Sequence, residues 1–417
     1  MYALKGHIIN APRPGTVEIT ENGYLLIGDG DIIGIYPELP EKYSGTHIID
    51  YGDKLIMQSF CDMHLHAPQY PMLGLGMDLP LLEWLKTYTF KTEANFSDNE
   101  YAKTVYSQLA RELVDNGTTR VCMFSSVHTD ATLLLMNELE RVGIIGYVGK
   151  VNMDQNSDPC IEETTEASKS ETLRWLNGCE VFGKIKPILT PRFTPSCSPE
   201  LLSWLGGIAR ERNLRVQSHL SENLSEMDWV RQLHPDCEQY WETYDKYGLF
   251  KENTVMAHCV HCDERERKAM KDRGVMVAHC PDSNINLASG IAPIRRMLDE
   301  GVKVALGSDI AGGAQIGMLD VISGAIRASK MKRIQSEWQL DFLSVAEGFY
   351  LGTTAGAKYF GFGDGFATGD MLHAIVVDDS SLCGSNKLSV RERFERCVYL
   401  AKKSNIEAVY SDGIKIK

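Results

Sequence analysis

Two histidines one residue apart, His64-Leu65-His66, close an apolar run that begins at Leu55. In a β-strand alternate side chains share a face, so the two imidazoles would project together about 7 Å apart along the strand, within reach of one cation. Three further residues of the same chemistry close other apolar runs: His219 after Leu214-Arg215-Val216-Gln217-Ser218, His258 after Thr254-Val255-Met256-Ala257, and Asp309 after Val304-Ala305-Leu306-Gly307-Ser308. Imidazole and carboxylate suit zinc or iron, and no thiolate joins them. Each has a plainer explanation alone, as a hydrogen-bonded core histidine or a helix-capping aspartate. Four run ends carrying one ligand chemistry point instead to a single site for a divalent metal.

Such a site requires elements that bring those ends together. From residue 54 to 310 the chain repeats one grammar: a short β-rich apolar run, a polar or glycine-containing turn, then a stretch with helical periodicity. The runs are 55–66, 118–124, 144–151, 184–193, 214–221, 254–260, 274–280 and 303–309, with helical stretches such as 98–116, 129–142, 199–212, 263–272, 291–301 and 317–333. Eight alternating units are the count of a (β/α)8 TIM barrel, whose functional groups sit at the C-terminal ends of the strands. A doubly wound sheet predicts neither the count nor the convergence of ligands. His279 ends the seventh run and is a further candidate to face the pocket.

The termini read differently. Residues 1–58 and 367–417 hold short strand-like pieces that can pair into one small β domain, leaving residues 59–366 for the barrel. The chain is 417 residues long with a formal net charge of -13 and no basic tract able to track a phosphate backbone, which argues against nucleic acid and anionic membrane as partners. A small free substrate fits better. No signal peptide and no 18-residue uncharged apolar run is apparent, and eleven cysteines are scattered along the chain. These features predict a cytoplasmic protein with reduced thiols.

The set HxH, His, His and Asp on strands one, five, six and eight resembles the amidohydrolase superfamily, and the likeness covers essentially the whole chain. HAPQYP at 66–71, GLGMDLPLLEWL at 74–85, TPRF at 190–193, HLSEN at 219–223 and SDIAGG at 308–313 are similar to its guanine-deaminating branch. The resemblance implies a TIM barrel with a small β-sandwich built from both chain ends, one divalent metal per subunit (zinc first, ferrous iron second), and a homodimer. It implies hydrolytic deamination of guanine to xanthine and ammonia. Phe90-Lys91-Thr92-Glu93 departs from the expected pattern, which has proline after the phenylalanine; the segment is expected to lie beside the site and the change to alter only a loop.

A bound divalent metal brings the pKa of its water from 15.7 towards about 7, but a ring nitrogen and the leaving amine must also receive protons. Glu222, three residues beyond His219, is placed for that shuttle, and the resemblance supports it against a capping role. Asp309 is implied to bind the metal and to take the attacking water's proton. A purine needs polar partners along one ring edge and flat apolar cover on its faces. Gln69 and Arg192 suit the edge; Phe193, with Trp84 or Leu79, suits the faces.

Two other readings compete. Small changes around Gln69 and Arg192 would redirect the same chemistry to a modified purine, pterin or triazine, and a catalytically silent barrel could act as a scaffold. The second is disfavoured because all five ligand candidates and Glu222 are present. The thiolate-based zinc deaminases are excluded, because the chain has no PCxxC.

Overall fold

The structure, a computed structural model, describes residues 1–382, 384 and 387–417. Eight parallel strands, numbered here β1 to β8, alternate with helices. They are Phe60–His66 (β1), Thr118–Phe124 (β2), Ile145–Gly149 (β3), Ile185–Pro191 (β4), Arg215–Leu220 (β5), Thr254–His258 (β6), Met276–His279 (β7) and Lys303–Leu306 (β8). They pair in that spatial order, the TIM-barrel arrangement. Every residue of β1, β2, β6 and β7 is buried, as expected of parallel strands covered on both faces.

The β8/β1 seam is closed by the functional segment itself. The amide of Asp309 donates to the carbonyl of His64 (2.8 Å), and the amide of His66 donates to the carbonyl of Ile310 (3.0 Å). Gly307 permits this approach, since a Cβ there would lie 2.8 Å from the Cβ of His64. The outer helices start on side-chain caps: Asp98 before Asn99–Asp115, Ser198 before Pro199–Glu211 and Asp263 before Glu264–Arg273 each accept from first-turn amides.

The run at 55–66, read from sequence as one strand, is divided between two sheets. Ser59 donates its amide to His373 and Phe60 donates to Gly117, so hydrogen-bond partners change between adjacent residues while the apolar pattern continues. The first half belongs to His47–Gln58, a central strand of a seven-stranded sheet made by both chain ends. In that sheet Ile56 and Val376 face a small core containing Leu4, Leu25 and Tyr410, whereas Leu55, Met57, Ile375 and Val377 face the main core. No helix among the described residues is long and apolar enough to cross a membrane.

Candidate metal and catalytic site

The five ligand candidates meet at the C-terminal end of the barrel. His66 Nε2 lies 3.1 Å from His219 Nε2. Asp309 Oδ1 lies 3.3 Å from His64 Nε2 and 3.6 Å from His66 Nε2, and its Oδ2 lies 3.8 Å from His258 Nε2. All five side chains are buried. His219 Nδ1 donates to the carbonyl of Arg192 (2.6 Å) and His258 Nδ1 to Oδ1 of Asn284 (2.9 Å). Those bonds fix the tautomers and leave each Nε2 as a bare lone pair. His258, Cys259 and Asp309 all have positive φ, uncommon for residues other than glycine and a mark of a constrained functional end.

Bare imidazole nitrogens at 3.1 Å repel unless something positive lies between them. Protonation is a poor remedy, because burial and neighbouring histidines hold His66 and His219 well below the ordinary histidine range. Among the described residues His64 Nε2 has only the Asp309 carboxylate, 3.3 Å away, as a polar neighbour for its lone pair or proton. Burial opposes charge on Asp309, yet His64, His258 and His66 together pull its carboxyl well below the usual carboxylate range. Four imidazoles and one carboxylate converging on one point are a ligand set for a divalent cation. Cys280 also stands near His64 and Asp309; burial pushes its thiol well up, and its Sγ–H donates to the carbonyl of Ala278 (3.5 Å).

A cavity opens beside these residues and is lined by Gln69, Trp84, Arg192, Phe193, Glu222 and Leu287 as well as His66, His219, His258 and Asp309. Glu222 Oε2 lies 3.5 Å from His258 Nε2, and Oε1 has no partner. Burial, followed by the charges of Glu226 and Asp309, pushes its carboxyl well above the ordinary glutamate range. Glu226 holds the turn itself, accepting from the amides of Glu222 and Asn223 and from the Tyr240 hydroxyl (2.7 Å).

Elsewhere in the lining Arg192 makes a two-pronged ion pair with Glu93, at 2.6 and 3.0 Å, over the ring of Phe90. Gln69 donates to the same carboxylate (2.9 Å). Trp84 anchors its indole N–H on the carbonyl of Leu75 (3.0 Å), and Phe193 packs edge-on to Trp229. His279 is buried on β7 within the electrostatic reach of His258, which together with burial lowers it to about 3. It is not part of the cavity lining.

Residues 55–415 match the sequence profile of the amidohydrolase family. The chain belongs to that family. This amidohydrolase is 34% identical to guanine deaminase from Dictyostelium discoideum over 99% of its own length and 98% of the relative's. It is 38% identical to guanine deaminase from Rattus norvegicus over 87% of this chain and 83% of that one. Its fold superposes on the crystal structure of guanine deaminase from C. acetobutylicum with bound guanine in the active site at a TM-score of 0.97 and 41% identity, covering 100% of both chains.

Glu93 and Asn284 escaped the sequence reading of this amidohydrolase. The segment Phe90-Lys91-Thr92-Glu93 is no loose loop but the helix Phe90–Ala94, and its Glu93 is buried behind two cavity-lining side chains. The only available signal was helical spacing from Phe90 to Glu93, which says nothing of what the carboxylate meets. Asn284 follows β7 in a helix, Pro281–Asn286, with no motif around it.

Proposed function

We propose that this amidohydrolase hydrolyses guanine to xanthine and ammonia. The observation that carries the reading is the whole-chain likeness to a structure with guanine in its active site, joined to a cavity here whose lining holds both the carboxyl groups Glu222 and Asp309 and the pair Arg192 and Gln69. His64, His66, His219, His258 and Asp309 hold a divalent cation, zinc first and ferrous iron second. When bound, that cation supplies the Lewis acidity that makes water a nucleophile at neutral pH.

The remaining chemistry belongs to the chain. Asp309 accepts the proton released as water oxygen adds to the ring carbon bearing the amino group. Glu222, whose carboxyl burial pushes above the ordinary glutamate range, delivers a proton to the adjacent ring nitrogen. Its carboxylate then takes the remaining proton of the added hydroxyl and passes it to the amine, so that the carbon–nitrogen bond breaks, ammonia leaves and the carbonyl forms, while the proton held by Asp309 returns to Glu222. Arg192 and Gln69 hold the ring edge, while Phe193 and Trp84 cover its faces. The reading includes a homodimer in the cytoplasm, checked by light scattering on the purified protein and by fractionation.

Ammonia release should be measured over guanine, adenine, cytosine, 8-oxoguanine and pterins, with metal content determined on the same sample. Guanine should be turned over fastest, activity should vanish on chelation, and zinc or ferrous iron should restore it. Efficient release from another ring with none from guanine would overturn the assignment.

A further inference from the structure

Glu93 is the one carboxylate that touches both side chains of the ring-edge wall. Its Oε1 accepts from Gln69 Nε2 (2.9 Å) and Arg192 Nη2 (3.0 Å), and its Oε2 accepts from Arg192 Nη1 (2.6 Å). The other end of the Gln69 amide is fixed too, because Oε1 accepts from the amide of Ala311 (3.0 Å). All four residues are buried. A carboxylate only accepts and a backbone N–H only donates, so the Gln69 amide has one permitted orientation.

That orientation sets what the wall can offer. Arg192 has five N–H groups and Glu93 engages two, leaving three; Gln69 keeps one N–H and one lone pair. The edge is therefore donor-rich, and it would pair with ring acceptors and confront an exocyclic amine with N–H groups it cannot satisfy.

We propose that Glu93 is a positioning residue which fixes this donor polarity and so makes the cavity select an oxo-purine edge over an aminopurine edge. The proposal rests on the purine reading above and goes beyond it in naming the group that enforces the choice. In Glu93→Gln the volume is kept, but one oxygen must serve three donors, and the new NH2 faces either the arginine fork or the Gln69 amide.

Hypoxanthine and adenine test this by titration calorimetry on the metal-loaded protein, since they differ at the 6-oxo or 6-amino group and neither carries the 2-amino group of guanine. The intact protein should bind hypoxanthine of the order of 10- to 100-fold tighter than adenine, the worth of one or two buried pairings. Glu93→Gln should weaken hypoxanthine by a similar factor and leave adenine nearly unchanged, and Glu93→Asp, which restores the carboxylate, should recover part of the ratio. Equal weakening of both ligands in Glu93→Gln, with metal content and circular dichroism unchanged, would reduce Glu93 to a structural role. A ratio near one in the intact protein would overturn the proposal without any variant. Failure to release ammonia from guanine would sink the activity but not this ratio, so the two outcomes are distinguishable.

Discussion

Two buried glutamates serve one cavity, Glu222 in its lining and Glu93 behind it, and they are opposites. Glu93 receives three N–H donors and is locked between an arginine and an amide. Glu222 has one oxygen without any partner and has Glu226 and Asp309 as its strongest neighbours. The same side chain is thus a fixed acceptor of N–H groups in one place and a proton carrier in the other, with environment alone deciding. Fixity suits recognition, where the polarity of an edge must not change from one turnover to the next. Loose satisfaction suits transfer, where the group must exist in two protonation states.

The sharpest way to break that contrast is to make both residues amides. Glu222→Gln keeps the shape but removes the proton, so turnover of guanine should fall by about 10²- to 10⁴-fold, with metal content and hypoxanthine affinity retained. Near-normal turnover would remove Glu222 from the mechanism. Glu93→Gln should cost less, of the order of 10- to 100-fold in kcat/KM, carried chiefly by KM because the lost interactions hold the ring in ground and transition state alike. A fall confined to kcat would mean that the two glutamates are not functionally separate.

The contrast also marks what the sequence can disclose. His64, His66, His219, His258 and Asp309 were legible because each closes an apolar run, and a barrel turns the end of a run into a place in space. The count of eight units followed from the same regularity. Glu93 was opaque, because its importance arises from packing onto Gln69 and Arg192, 24 and 99 residues away in the chain. No local period encodes such a meeting. The break at Ser59 was hidden for a related reason: hydrophobicity runs straight through it, and only the hydrogen-bond partners change. His279 shows the limit of the strand-end argument, which gives height in the barrel but not whether a side chain reaches the cavity.

A third buried glutamate, outside the cavity lining, tests whether environment rather than proximity to chemistry sets these properties. Glu266 accepts from the Ser221 hydroxyl (2.8 Å) through one oxygen, while the other has no partner. Burial raises its carboxyl from 4.5 to about 7. The folded state therefore holds the proton more tightly than the unfolded chain does. The stability this confers is fully present below about pH 4.5 and is lost as pH rises towards 7, where folding must bury the charged form. Glu266→Gln removes the titration. The variant should match the parent below pH 4.5 but exceed it at pH 8 by of the order of 1–3 kcal/mol, seen as a thermal midpoint a few degrees higher. The margin should open between those two values of pH. A difference that is the same at pH 4 and pH 8 would show that Glu266 is held by its hydrogen bonds, as Glu93 is, and not penalised by burial, as Glu222 is.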